Sequence, residues 1–252
     1  MLGNLLFYVG FAVSVTLGFV YFRDLGDVVQ MLLKVKRENM IRFIRNEYLF
    51  VAIGLAAAGV MILGHLLGGG PGWLFWIALP VVAFLFVFPW VWVHVGLRNQ
   101  KDSAKYYSIA EARDFIIPSA SVIVIENNGK ARAHADAQIM RPHLAGNAQG
   151  LDGEDVVLTY CAMANLGMGY TPSIEGQRLN LEVLAQHGNN LILRDNTTGE
   201  PIQQIYGFRA ADAAPETEGN ACPLTPGLEM KTWPTIRMTF RAFQQAYPEG
   251  EV

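Results

Sequence analysis

The sequence is poor in charge and in cysteine. Only 16% of its 252 residues are Asp, Glu, Lys or Arg, whereas 52% are hydrophobic. This balance disfavours both a disordered chain and a wholly soluble one. Its two cysteines, Cys161 and Cys222, are too few for a disulfide framework or a four-thiolate zinc site. A single disulfide between them remains an alternative if the domain faces an oxidising compartment.

The two parts of the chain differ in the sign of their charge. Residues 1–100 carry seven Lys and Arg against four Asp and Glu, and residues 101–252 carry twelve against eighteen. This asymmetry predicts two structural units in different environments. One is a membrane region, and the other is a soluble domain of modest size. Because the domain is acidic overall, no nucleic-acid-binding surface is expected.

Three long apolar segments predict the membrane region. Residues 2–22 contain no charged residue and have the length of a bilayer-spanning helix. They lack the positive start of a cleaved signal peptide. Residues 48–67 and 73–95 are the second and third predicted spans, and the short glycine-rich turn at residues 68–72 allows only a helical hairpin between them. The sequence therefore predicts a multi-pass protein in contact with the lipid bilayer.

The positions of Lys and Arg predict the orientation of these spans. Six of them lie between the first and second spans, and none lies in the turn between the second and third. Because cations are retained on the cytoplasmic side, the domain after the third span is predicted to be cytoplasmic. Apolar residues near helical spacing in residues 25–46 predict an interfacial helix on the anionic leaflet. A solvated helix continuous with a span is the alternative.

Two histidines, His65 and His94, fall within the predicted spans. In this topology His65 lies near the outer end of the second span and His94 near the inner end of the third. We therefore expect them to be residues of the membrane interface that do not share a ligand.

The remaining sequence predicts a soluble, mainly β domain of the α+β class. After a linker at residues 101–119, short apolar runs separated by Asn, Gly and Pro extend through residues 120–252. Residues 122–133 predict a hairpin with an Asn-Gly turn, and residues 179–193 predict a second hairpin. Residues 240–246 predict a closing helix with a threonine cap.

The order of several short motifs in this domain resembles a known bacterial family. The motifs are Asn128-Gly129-Lys130, Thr159-Tyr160-Cys161, Gly169-Tyr170, His187-Gly188-Asn189, Asp195, Thr198-Gly199, Gln203-Gln204, and Met238-Thr239-Phe240 through Tyr247-Pro248. They are similar to the family catalogued as domain of unknown function 3179 over residues 120–252 and leave the membrane region uncovered. The resemblance implies a fold, candidate positions for site residues and a location in the bacterial inner membrane. It implies no activity.

Two features depart from that family's pattern. Members usually carry Tyr-Cys-Pro-x-Cys, whereas Ala162 and Ala164 occupy the Pro and second Cys positions here. The resemblance therefore implies no dithiol redox site. The family's domain is also commonly exported, which implies a periplasmic domain, while the Lys and Arg bias predicts a cytoplasmic one. Both locations stay open.

Cys161, His143 and His187 are the candidate site residues. Cys161 ends a predicted strand, and the two histidines match or fall near histidines of the resembled family. One thiolate and two imidazoles would suit one copper or zinc ion with an open position. The alternatives are a Cys-His catalytic pair, or a buried cysteine with histidines that are satisfied by the backbone.

The preferred hypothesis is a membrane-anchored, non-catalytic accessory or structural subunit of a bacterial membrane complex. Its degenerate soluble domain would serve as a binding module, and its spans would dock against other membrane subunits. Small residues in the second span permit such close helix approach. These are Gly54, Ala56, Ala57, Ala58 and Gly59. The metal or thiol site remains the second hypothesis.

Overall fold

A computed structural model describes residues 1–25, 33, 35–96, 99–188, 190–214 and 223–252. The chain divides into two compact units, Met1–Gly96 and Leu97–Val252. The first unit is helical. The elements formed by its described residues are α1 (Leu2–Leu25), α2 (Arg37–Arg45), α3 (Glu47–Leu66) and α4 (Gly72–Trp90), which runs on into a π-helix (Val91–Gly96).

Three helices of the first unit are long and apolar enough to cross a membrane. They are Leu2–Leu25, Glu47–Leu66 and Gly72–Gly96, and their ends lie within three residues of the predicted spans. The prediction of three long apolar helices at the amino terminus is confirmed. Of the predicted interfacial helix at residues 25–46, the structure describes α2, while residues 26–32 and 34 lie outside the described residues.

Glycines bring α1 and α3 into backbone contact. A Cβ atom on Gly10 would lie 2.4 Å from the backbone nitrogen of Met61, and one on Gly64 would lie 2.3 Å from that of Phe7. The two helices are therefore antiparallel, and their separation is set by the absence of side chains at these positions. Gly54, one of the small residues predicted to admit other subunits, packs against the Phe86 ring of its own chain.

The second unit is rich in antiparallel sheet, as predicted. The strand orders are β12-β1-β2, β11-β5-β4-β3, β10-β9-β8 and the ribbon β6-β7. The strands are β1 (Ser121–Asn127), β2 (Lys130–Ala135), β3 (Leu144–Gly146), β4 (Val157–Cys161), β5 (Leu166–Tyr170), β6 (Ser173–Ile174), β7 (Gln177–Arg178), β8 (Leu181–His187), β9 (Asn190–Asp195), β10 (Pro201–Gln203), β11 (Thr232–Trp233) and β12 (Thr235–Thr239). The helical elements are α5 (Ile109–Ala112), α6 (Asp136–Ile139), a 3-10 helix (Ala210–Asp212) and α7 (Phe240–Ala246).

Local sequence signals account for the ends of several elements. The β1–β2 hairpin turns at Asn128 and Gly129, which have φ angles of 51° and 82°. These positive angles are those that an Asn-Gly turn supplies. The backbone nitrogen of Ala242 donates to Thr239 Oγ1 over 3.2 Å, so the predicted threonine cap of α7 is present.

Residues 101–119, predicted as a linker, contribute to the core of the second unit. Ser108 and Glu111 form a capping box that begins α5. Ile109 and Ile116 are buried in the same apolar cluster as Phe240 of α7. These residues therefore belong to the fold of the domain.

Candidate functional site

Cys161 is the last residue of β4 and is completely buried. It lies in an apolar cluster with Leu181, Val183 and Leu191. Its Sγ atom donates a hydrogen bond to Gln186 Oε1 over 3.4 Å. A thiol in this position packs as a small apolar group and does not contact solvent.

His143 lies beside Tyr160 on the other face of β4. The distance from His143 Nδ1 to the Tyr160 carbonyl oxygen is 3.0 Å, and the two rings stack with their centres 6.3 Å apart. Burial lowers the pKa of His143, although the bond to Tyr160 opposes this effect. Because successive side chains of a strand alternate, Tyr160 and Cys161 point to opposite faces. His143 is therefore separated from the thiol by the sheet.

A β-bulge determines the direction of His187. Leu181 and Val183 face the cluster that contains Cys161, and strict alternation would place His187 on the same face. The pairing of β8 with β9 shifts between Val183 and Ala185, however, and this inserts one extra residue. Gln186 consequently reaches Cys161, and the half-buried His187 points to the opposite face.

The three predicted ligands therefore do not converge. Among the residues that the structure describes, no group of three or more His, Cys, Asp or Glu side chains is arranged to hold a metal ion. Cys222, the predicted alternative partner of Cys161, lies outside the described residues.

A pocket near β2, lined by both apolar and polar side chains, holds residues that the sequence did not single out. Tyr106, His134, Lys105 and Gln138 contribute to its lining. The Tyr106 hydroxyl lies 3.0 Å from His134 Nε2, and the centre of its ring lies 3.9 Å from the guanidinium carbon of Arg132. Tyrosine, histidine and arginine thus form one stacked and hydrogen-bonded group.

Burial disfavours the charged forms of two members of this group. It raises the pKa of Tyr106, a phenol that is already neutral at pH 7, to about 12. Burial, reinforced by the charge of Arg132, lowers the pKa of His134 to about 3. At neutral pH the pocket therefore presents an uncharged phenol and an uncharged imidazole beside the amine of Lys105. Such groups can bind a ligand through hydrogen bonds without carrying a charge themselves.

The buried imidazole predicts a loss of stability in acid. In the unfolded chain His134 takes up a proton below about pH 6.5, whereas in the folded domain it does so only near pH 3. The unfolded state binds more protons between these values, so the free energy of unfolding decreases as the pH falls from about 6.5 towards 3. Denaturant unfolding followed across this range should show a shallower decrease for His134→Gln. Gln138→Ala is the control, because it changes the lining of the same pocket without removing an ionisable group and should keep the wild-type slope. Equal slopes for both variants would contradict the prediction.

A second polar group lies at one end of the helical unit. The Tyr21 hydroxyl donates to Glu47 Oε1 over 3.1 Å, and His94 Nε2 lies 3.1 Å from the same oxygen. Glu47 is only 2% exposed. The three side chains come from the end of α1, the start of α3 and the π-helix, so they connect all three long helices.

The sequence missed this group because the second predicted span begins at Tyr48, one residue after the buried carboxylate. His94, which was expected to lie at the membrane interface, bonds Glu47 at this end of the bundle. His65 lies at the opposite end of the bundle, where its ring stacks on Phe75 with a centre-to-centre distance of 4.0 Å. The two histidines do not share a site, as expected.

Comparison with known proteins identifies the second unit. The model of a family described as "protein of unknown function (DUF3179)" matches residues 99–252. The match confirms the resemblance and extends it to residues 99–119, while residues 1–98 remain uncovered. No curated protein and no solved structure matches the chain.

Proposed function

The chain belongs to the DUF3179 family, a family of unknown function, and we propose that it is a membrane-anchored, non-catalytic accessory subunit of a bacterial inner-membrane complex. In this proposal its family domain is a binding module for another membrane subunit. The observation that carries it is the burial of Cys161, whose thiol is enclosed by apolar residues and bonded to Gln186. The residue best suited to thiol or metal chemistry is thus part of the core.

Two groups of exposed aromatic residues support the membrane anchor. Trp73 and Trp76 are exposed at the start of α4, Trp90 is exposed at its end, and Trp92 is exposed in the π-helix that follows. At a rise of 1.5 Å per residue, the 17 positions from Trp73 to Trp90 span about 26 Å, close to the thickness of a bilayer core. Tryptophan prefers both membrane interfaces, so α4 fits a spanning helix with an aromatic belt at each end.

The cationic residues support a cytoplasmic location for the domain. α2 and the residue before it carry Lys36, Arg37, Arg42 and Arg45. By the positive-inside tendency, the end of the bundle next to α2 faces the cytoplasm. The third long helix ends on that side, so the chain that follows it begins there. A periplasmic domain is the alternative that a topology measurement would distinguish.

An exposed apolar group on the domain supports a protein partner. Tyr107, Phe115 and Ile117 are 41%, 49% and 66% exposed. The Tyr107 and Phe115 rings contact each other edge to face, with their centres 5.3 Å apart. Aromatic side chains of this kind are enriched in protein interfaces. The surface fits an apolar patch on a partner subunit.

Native mass spectrometry of the protein, extracted gently from its own membranes without chelator, tests this proposal. We expect stoichiometric partner chains, no metal on this subunit, and an unchanged assembly for Cys161→Ala. A lone chain that carries one copper or zinc ion, and loses it in Cys161→Ala, would overturn the proposal.

A pair of surface variants tests the binding module separately. We expect Phe115→Ser with Ile117→Ser to reduce partner recovery about tenfold or more, since central apolar contacts each contribute over about 1 kcal/mol. The control is Met140→Ser with Met163→Ser, two residues that are 50% and 49% exposed elsewhere on the domain. Equal recovery of the partner with both double variants would show that this surface is not the interface.

A further inference from the structure

α2 has two chemically different faces. Met40, Ile41, Phe43 and Ile44 are buried. The Phe43 ring lies 5.7 Å from the Tyr21 ring of α1 and 5.3 Å from the Phe50 ring of α3, measured between ring centres. The apolar face of α2 is thereby fixed against one end of the helical bundle.

That end of the bundle carries the markers of a membrane interface. Three aromatic side chains are exposed there: Tyr48 at the start of α3, Trp90 at the end of α4, and Trp92 in the π-helix. These aromatic side chains prefer the level of the lipid headgroups. Since α2 packs against the same helix ends, the membrane anchoring proposed above would place its outward face near the phosphate layer of the bilayer.

The outward face is cationic. Of the five ionisable residues from Lys36 to Arg45, four are cations, and Glu38 is the single acid. Glu38 lies 3.9 Å from Arg37, and the side chains of Lys36, Arg42 and Arg45 are exposed. Arg42 and Arg45 are three residues apart, so they project from neighbouring positions on one face of the helix.

We propose that α2 binds the headgroups of anionic phospholipids through Lys36, Arg42 and Arg45. The apolar face anchors the helix, while the arginines donate hydrogen bonds to phosphate oxygens and complement the negative charge of the lipid. The inference rests on the membrane anchoring proposed above and adds a preference for the type of lipid.

Lipid retention by the full chain tests this inference. The detergent-purified protein is mixed with equal amounts of phosphatidylglycerol and phosphatidylcholine of identical acyl chains, and the bound lipids are counted by native mass spectrometry. We expect phosphatidylglycerol to be preferred, and the preference to fall about five-fold for each arginine removed in Arg42→Gln and Arg45→Gln. Arg42→Lys with Arg45→Lys should keep most of it.

Two exposed arginines of the domain supply the control. Arg113→Gln with Arg141→Gln removes the same charge and should leave the lipid preference unchanged. Equal binding of both lipids by the wild-type protein would overturn the headgroup inference alone, whereas binding of neither would overturn the membrane anchor as well. Loss of the preference in millimolar inorganic phosphate would show a general anion site, and would also overturn the inference.

Discussion

Gly10→Ala is expected to destabilise the helical unit by about 1–3 kcal/mol, the range for a methyl group forced into a packed interior. The added Cβ would lie 2.4 Å from the nitrogen of Met61 and 2.7 Å from the carbonyl oxygen of Ala57. Both atoms belong to the α3 backbone and cannot rotate away. The two helices must therefore move apart, and the loss outweighs the gain in helix propensity of about 1 kcal/mol that Gly→Ala otherwise brings.

The matched control for this change lies on α3. A Cβ on Gly59 would meet no described atom within 4 Å, so Gly59→Ala should leave stability unchanged or raise it. Thermal unfolding in detergent, followed by tryptophan fluorescence, reports on this unit because four of the five tryptophans lie in residues 73–92. Equal unfolding temperatures for both variants would show that α1 and α3 do not pack through Gly10.

Arg132→Leu is expected to destabilise the domain by about 3 kcal/mol, because it removes a buried cation and leaves its ion-pair and hydrogen-bond partners unmatched. Arg132 is 2% exposed. Its Nε atom donates to Glu251 over 2.7 Å, its Nη2 atom donates to the Gly150 carbonyl over 2.6 Å, and it stacks on Tyr106. Leucine fills part of the space but leaves the carbonyl without this donor.

Arg178→Leu is the matched control. It also removes an arginine that binds carboxylates, but this arginine lies at the surface of the domain. Arg178 bonds both Asp102 and Asp155, yet its side chain is 45% exposed. Exposed pairs contribute at most about 1 kcal/mol. Hydrogen exchange of the full-length protein should show faster exchange of β1 and β2 in Arg132→Leu only. Similar exchange in both variants would contradict a structural role for Arg132.

Features encoded by neighbouring residues were predictable from the sequence. Uninterrupted apolar runs identified the three long helices within three residues of their ends. Asn128 and Gly129 identified a hairpin because few other residue pairs adopt two positive φ angles at low cost. Thr239 identified the start of α7 through its side-chain oxygen. In each case the cause lies within a few residues of the feature.

Features that depend on distant contacts were not predictable. In β2, Ala131, Ala133 and Ala135 alternate with Arg132 and His134, a pattern typical of one buried and one solvent-facing side. Both sides are buried here. The Glu251 side chain bonds Arg132 and the Tyr106 hydroxyl contacts His134, so these two residues cover the polar side. The residues that cover it lie 28 and more than 115 positions away, so no local pattern could reveal the Tyr106–His134–Arg132 group.

The predicted Cys161, His143 and His187 set illustrates the same limit. Each residue type suits a metal or a thiol reaction, but a site also requires the side chains to share a face. The face of His143 follows from the pairing of β3 with β4, and that of His187 from the bulge in β8. Neither the pairing nor the bulge has a sequence signature as specific as an Asn-Gly turn.

The bulge in β8 has a consequence for comparing members of the family. Deleting Leu184 would remove the extra residue and leave Gln186 and His187 opposite the same β9 partners, Leu191 and Asn190, so both side chains would keep their faces. The face of a side chain after the bulge therefore follows from its β9 partner and not from its distance along the chain from Val183. An alignment of family members that differ in length here would match equivalent side chains only where its gap is placed at the bulge.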